Sequence, residues 1–315
     1  MKKFLIIIIT ILFLTFLIPC LIVTRFCDIY TLPSQGEPYD TISVYIKNED
    51  KVCNMDMSQY LKEVVAAEMP AEFEKEALKA QATAARTYLV NRKRNGNSDD
   101  VHKGADICTD STHCKAWVSE EERKKIWGDD KKDEYWNKIS EAVEETAGVM
   151  IYYSDNPISA VFHSTSSGIT ENASDVWGGD VPYLVSVESK GEENSPRYTS
   201  EIVLSEGEFK SIAEKNIDNL NWDKGVVSDI KRSEAGGIKT MKIGGAEISG
   251  RDFRTMYNLR STNAEISFKD GNVILSVKGF GHGVGMSQYG ANYLASQGYG
   301  YEDILKKYYT GVEVY

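Results

Sequence analysis

The chain has 315 residues, with 47 Asp+Glu against 36 Lys+Arg, a net charge of −11. Its 26% charged and 42% hydrophobic residues describe a globular protein, neither disordered nor polytopic in a membrane. The acidic balance and the absence of any Lys/Arg stripe argue against nucleic acid as a partner, since a duplex binder gathers basic side chains on one face.

Lys2 and Lys3 precede an uncharged apolar run over residues 4–23. A helix of that length rises about 30 Å, enough to cross a bilayer core. The lysines place its start on the cytoplasmic side, so residues 1–27 read as an uncleaved membrane anchor with the rest extracytoplasmic. A cleaved signal peptide competes, although the run is long for one and no A-x-A site follows. Pro33, Gly36 and Pro38 mark 28–40 as a tether. Five cysteines are present, and the three beyond Cys20 and Cys27 do not suggest a disulfide scaffold.

Ile42, Val44 and Ile46 alternate as in a half-buried strand. From Ser58 the pattern turns helical, with Leu61, Val64 and Val65 on one face and Pro70 ending the element near Met69. A second helix, about 72–94, is Ala-rich and reads as central; Asn95-Gly96-Asn97 stops it. Residues 98–118 form an irregular loop, 119–133 a charged solvated face, and 134–147 a helix. A hairpin is expected over 149–162, and a Ser/Thr/Gly/Asn-rich loop over 163–180. Ser205 and Glu208 form a capping box that opens a helix to about 216. Residues 238–248 are β-like and 250–258 a short helix. A hairpin turns on Asp270-Gly271, a glycine loop spans 279–285, and helices follow at about 287–297 and 301–309. The fold class is α+β with mixed, mostly antiparallel sheets. A core of 41–184 plus 261–315 would carry an inserted domain over 185–260.

Four constellations could carry chemistry. Glu68 follows Leu61 by seven residues, Val64 by four and Val65 by three, so its carboxylate lies in line with an apolar face. Desolvation there raises a carboxyl pKa, as a general acid requires; a core Glu paired with Arg or backbone has the same spacing. Gln81, Arg86 and Thr87 on the next helix are its candidate orienting groups. His102, Cys108, His113 and Cys114 have the spacing H-x5-C-x4-H-C, suited to tetrahedral zinc, and four protein ligands would make such zinc structural. Asp106 in place of one ligand would open a catalytic zinc reading, including a zinc hydrolase. A Cys108–Cys114 disulfide and free thiols are the other readings. His163, Ser164, Ser166, Ser167, Glu171 and Trp177 sit in a polar loop suited to a sugar or peptide, or to satisfying its own backbone. Finally, glycines alternate from Gly279 to Gly285 around His282, and Ser287, Gln288 and Tyr289 follow; Ser287 could cap the next helix.

Three motifs run in order: Val64-Val65-Ala66-Ala67-Glu68-Met69-Pro70 with Ala77 to Thr87; Ala160-Val161-Phe162-His163-Ser164-Thr165-Ser166 with Thr170-Glu171 and Asp175-Val176-Trp177; and Gly281-His282-Gly283-Val284-Gly285-Met286-Ser287-Gln288-Tyr289-Gly290-Ala291. Together they resemble the stage II sporulation protein D family, related to the amidase enhancers. Ser167-Gly168 stands where that family usually shows two glycines. The resemblance implies a membrane-anchored lytic transglycosylase acting in engulfment during endospore formation, on the mother-cell membrane facing the forespore septum. It implies cleavage of peptidoglycan glycan strands that lack stem peptides, with Glu68 as the acid and 1,6-anhydro ends as products. Gln81, Arg86, Thr87, His163, Ser164, Ser166, Ser167, Glu171, His282, Ser287 and Gln288 would then contact the glycan, with Trp177 or Tyr289 as a stacking face. A cell-wall amidase and other engulfment proteins are the implied partners, and zinc a structural cofactor in some members. The alternative is a non-catalytic glycan-binding activator of an amidase.

Overall fold

The computed structural model describes residues 38–96 and 100–315. The anchor expected over 1–27 and nearly all of the tether lie outside the described residues. Among the described residues, no helix is long and apolar enough to cross a membrane.

The architecture is α+β with mostly antiparallel pairing. β1 (Thr41–Ile46) buries Ile42, Val44 and Ile46, as its alternation dictates. β2 (Lys51–Asp56) pairs antiparallel to it, and β3 (Ile107–Cys108) parallel. α1 (Met57–Glu68) is capped by Asp56, whose carboxylate accepts from Gln59 N at 2.8 Å. Pro70 then forces a tight turn, closed by Phe73 N donating to Pro70 O at 3.1 Å, so the Ala-rich helix α2 (Lys75–Asn95) begins at 75 rather than 72.

α2 is the centre of the larger core. Its alanines at 77, 80, 82, 84 and 85 are all buried, and they let other helices pack close on several sides. Those neighbours are α1, α4 (Lys132–Glu145), α8 (Gln288–Ser296) and α9 (Tyr301–Tyr308). α3 (Glu120–Trp127) precedes α4 on the surface. The expected 149–162 hairpin is shorter: β4 (Ile151–Tyr153) pairs with β5 (Asn156–Pro157) and with β14 (Glu313–Val314). β6 (Phe162–His163) instead pairs in parallel with β13 (Met286–Ser287), a remote partner that no local pattern announces. Within the loop that follows, Ala173–Trp177 is helical and forms α5.

A second core gathers around Phe209, Met241, Ile243, Phe253, Val273 and Leu275. It contains β7 (Thr199–Ser205), α6 (Glu206–Asn216), β8 (Val227–Arg232), β9 (Ile238–Ile243), β10 (Ala246–Ser249), α7 (Gly250–Met256), β11 (Ala264–Lys269) and β12 (Asn272–Lys278). The capping box at Ser205 and Glu208 is formed. The β11–β12 hairpin turns on Asp270 and Gly271, both at positive φ, as a two-residue connection requires. Because β12 also pairs with β7, this hairpin belongs to the second core. That core therefore spans about 199–278 rather than 185–260.

The glycine loop joins the two cores and lies directly on residues 161–171. Gly285 sits at φ +71, and a Cβ there would stand 2.2 Å from Val161 O. Gly285→Ala is expected to cost about 2–5 kcal/mol through left-handed strain and overpacking. Urea unfolding would show this as a lower midpoint, and an unchanged midpoint would remove the glycine's structural role.

Candidate functional site

Glu68 is the last residue of α1, half-buried on the face that carries the buried Leu61, Val64 and Val65. Its Oε1 accepts from Ala116 N at 2.7 Å. Burial pushes the carboxyl pKa above its ordinary value, outweighing Lys115, the Ala116 amide and the Gln288 side chain, which pull it down. Glu63 is buried one turn earlier but fully engaged: Trp117 Nε1 donates to it at 2.8 Å, and Glu120 N and Gln59 Nε2 each at 3.1 Å. That carboxylate staples residues 117–120 to α1.

Sequence reasoning missed Lys115. It is buried, with Nζ 3.6 Å from the Phe162 ring centroid and 4.2 Å from that of Tyr88. Burial lowers its ammonium to about 8, against the upward pull of Glu68. Its position directly after Cys114 was the available signal.

Of the candidate orienting groups, only Gln81 is connected to the acid, and indirectly. Fully buried, it accepts at Oε1 from Gln288 Nε2 at 3.4 Å, and Gln288 in turn hydrogen-bonds Glu68. Arg86 and Thr87 are buried and bonded within the core. Arg86 is fully buried and donates to Val143 O (3.2 Å), Val149 O (3.3 Å) and Thr146 Oγ1 (3.4 Å), satisfying the carbonyl end of α4. Thr87 Oγ1 donates to Thr83 O at 2.7 Å and accepts from Ile151 N at 3.0 Å.

The polar loop and the glycine loop form one layer. Thr165 and Phe280 exchange backbone bonds of 3.0 and 2.7 Å, Glu171 N donates to Gly283 O at 2.8 Å, and Tyr289 N to Ser164 O at 3.1 Å. The alternate glycines make this approach possible, since a Cβ on Gly281 would meet His163 Cβ at 2.7 Å and one on Gly283 would meet Glu171 Cγ at 2.8 Å. Several predicted ligands are consumed in building the layer. Ser166 donates to Glu192, a buried carboxylate that sequence reasoning missed, at 2.9 Å. Ser167 Oγ donates to Ala235 O at 3.0 Å, and Glu171 Oε1 accepts from Gly237 N at 3.1 Å, so both bind the second core. Buried Ser287 caps α8, accepting from Gly290 N at 3.2 Å.

His163 is buried; its Nδ1 donates to Val284 O at 3.1 Å, which leaves Nε2 as an acceptor without a protein partner among the described residues. His282 is half-buried and accepts at Nδ1 from Val284 N at 3.1 Å. Their ring centroids lie 5.7 Å apart, and the His282 ring lies 5.2 Å from that of Trp177, which is 45% exposed. Lys115 is close enough to influence both Glu68 and His282, so these side chains share one neighbourhood. Ser164 and Tyr289 remain partly accessible, with Tyr289 packed edge-on to Phe73 at 4.9 Å.

His102, Cys108, His113 and Cys114 converge, their ligand atoms all within 4.8 Å of one another. His102 Nε2 lies 3.0 Å from His113 Nδ1 and 3.1 Å from Cys114 Sγ, and His113 Nδ1 lies 3.5 Å from each sulfur. A tetrahedral ion with bonds of about 2.0–2.3 Å separates its ligands by roughly 3.3–3.8 Å, so this donor set fits zinc with little movement. The adjacent His113 and Cys114 point the same way because both their amides donate to Asp110 O, at 3.0 and 2.7 Å. Cys108 and Cys114 are free thiols, not a disulfide. The interaction with Cys114 holds the Cys108 thiol well below the ordinary thiol range. Asp106 faces Lys93 (2.7 Å) and Ser43 N (2.9 Å), so it does not replace a ligand. Two residues after Cys114 comes the amide that holds Glu68.

Burial lowers His163 from 6.5 to about 4. Between those values the unfolded chain carries the extra proton, so stability falls as pH drops through this window, by up to about 3 kcal/mol for this residue. Urea unfolding at pH 7 and 4.5 is expected to show a smaller loss for His163→Gln than for wild type. Equal losses would contradict a buried neutral imidazole.

A family model described as "Stage II sporulation protein" matches residues 45–153, the stretch holding Glu68 and the four-ligand cluster. The stage II sporulation protein D of Bacillus amyloliquefaciens is 39% identical over 90% of this chain and 80% of that relative. The protein of the same name from Bacillus subtilis (strain 168) is 36% identical over 87% of this chain and 78% of its own. The amidase enhancer of Bacillus subtilis (strain 168) is 27% identical over 80% of this chain and 39% of its own. On these matches, the chain belongs to the stage II sporulation protein D family and to the proteins of sporulation.

Proposed function

We propose that this protein is a peptidoglycan lytic transglycosylase with Glu68 as its acid. The observation that carries the reading is a desolvated carboxyl held by the Ala116 amide and by Gln288, whose neighbour Lys115 also acts on His282, the ring packed on Trp177. Glu68 protonates the oxygen between N-acetylmuramic acid and N-acetylglucosamine, and an oxocarbenium-like sugar forms. The C6 hydroxyl of that sugar then attacks its own C1, Glu68 takes the hydroxyl proton, and a 1,6-anhydro ring closes. Gln288, positioned by Gln81, orients the carboxyl. No water enters, so one carboxylate suffices. The engagement of Glu63, Glu171 and Glu192 by internal donors favours this over hydrolysis. Trp177 and Tyr289 offer stacking faces for the sugars.

His102, Cys108, His113 and Cys114 would hold zinc in a closed shell, which supplies structure by fixing residues 108–116, and with them the Ala116 amide. The protein would act from a membrane, through residues 1–27, on strands already stripped by an amidase, during engulfment in endospore formation.

Mass spectrometry of products from peptide-stripped glycan is expected to show anhydro-ended sugars with wild type. Glu68→Gln should lower their yield about 10²–10⁴-fold. Reducing-end products would mean a hydrolase. Retained binding with no cleavage by wild type would move the assignment to a glycan-binding amidase activator. Chelation is expected to lower the melting temperature and the cleavage rate together; loss of cleavage at an unchanged melting temperature would place the ion in the chemistry instead.

A further inference from the structure

Gln288, the first residue of α8, hydrogen-bonds Glu68, and the other end of the same helix borders a cavity of about 540 Å³. That volume falls in the range of roughly 300–1,000 Å³ that small-molecule sites occupy. Tyr293, Gln297, Tyr299, Lys190 and Lys307 line it. The wall behind them, which includes Ser189 and Tyr308, is fixed. Buried Ser189 donates to Glu192 at 2.5 Å and lies 2.7 Å from the Tyr308 hydroxyl, and Glu192 is held in turn by Ser166. Gly191 lies against the Tyr293 ring, where a Cβ would stand 2.3 Å from Cγ. Gly298, at φ +89, ends α8, and Tyr299 N donates back to Leu294 O at 3.2 Å, so the backbone of Tyr299 is held as well.

The groups facing the cavity are largely uncommitted. The Tyr299 ring is 50% exposed and has no aromatic partner among the described residues. Lys307 forms no ion pair among the described residues, whereas Lys306 beside it reaches Glu302 at 3.7 Å. Lys190 meets Glu188 at 3.8 Å with both side chains 65% exposed, and a surface pair of that kind contributes little. An exposed ring flanked by amide and ammonium donors matches a sugar, whose C–H face stacks while its hydroxyl and N-acetyl oxygens accept hydrogen bonds. Leu294 is the one aliphatic side chain in the lining, so an apolar side chain of a peptide would find little to pack on. Tyr289, Tyr293 and Gln297 recur every four residues along one side of α8, and the axis advances about 12 Å between the first and the last. The helix thus carries a row of ring and amide groups from the neighbourhood of the acid to the cavity.

We propose that this cavity is an accessory sugar site, which binds an N-acetylated hexosamine unit of the same strand at a distance from the bond that Glu68 breaks. Tyr299 stacks on the sugar ring, and Lys307 and Gln297 donate to its oxygens. This inference rests on the glycan-cleaving reading for the identity of the ligand. A strand that occupies both places gains affinity, because once one unit is bound the second site is met intramolecularly. A fragment too short to span them gains nothing, so the protein holds long strands in preference to short ones.

The test uses the full chain and two probes, linear β-1,4-linked oligomers of four and of ten N-acetylglucosamine units, titrated by calorimetry. Wild type is expected to bind the longer oligomer about tenfold or more tightly than the shorter. Tyr299→Ala should remove most of that advantage, and Tyr299→Phe, which keeps the ring, should retain it. Lys307→Ala should remove part of it. Equal binding of the two oligomers by wild type overturns the proposal, and that comparison does not depend on a variant folding. An advantage that survives undiminished in Tyr299→Ala overturns it as well, since the length effect then arises elsewhere. So does a Tyr299→Ala variant that weakens both oligomers by the same factor. Length-dependent binding that Tyr299→Ala removes, with no anhydro-ended product from peptide-stripped glycan, would leave the sugar site standing and remove the transglycosylase reading.

Discussion

One backbone amide couples the two halves of the site. Ala116 N–H holds the Glu68 carboxyl at the end of α1, and it is presented by the loop that ends in His113 and Cys114. The acid is therefore only as well placed as that loop. A loop of this kind has little apolar surface to order it, and four convergent nitrogen and sulfur ligands fit the task better than packing could. The same loop buries Lys115 against Phe162 and Tyr88, next to the acid, so fixing the loop sets both the position and the electrostatic surroundings of Glu68.

The layer of the polar and glycine loops is built differently. There, two chain segments more than a hundred residues apart lie backbone against backbone, and glycines at alternate positions permit the contact. Most of the hydroxyls and acids in those motifs are spent on holding the layer together and joining it to the second core, through Ser167–Ala235 and Glu171–Gly237. What remains near the surface is narrow in chemistry: an indole, an imidazole and a phenol.

The sequence carried the acid because helical spacing alone aligns Glu68 with Leu61, Val64 and Val65. It carried the ligand cluster because His and Cys crowd into thirteen residues. The alanine pattern marked α2 as central, and Asp270-Gly271 marked the hairpin, since each acts through local geometry. It says less where function and structure use the same residue types. Arg86, Thr87, Ser166 and Ser287 sit inside the motifs and also make internal hydrogen bonds, and a motif does not say which way a side chain turns. β2 escaped notice because an edge strand, exposed on much of its surface, has no apolar alternation. Lys115 and Glu192 matter only through neighbours that tertiary folding brings to them.

Burial raises the pKa of the Glu68 carboxyl above that of an ordinary glutamate. A carbon-13 NMR titration of the glutamate carboxyls, with Glu68→Gln identifying the resonance, measures that shift. A midpoint clearly above the usual value of about 4.3 is expected. A midpoint at or below that value would show a solvated or ion-paired carboxylate, and Glu68 could not then serve as the acid.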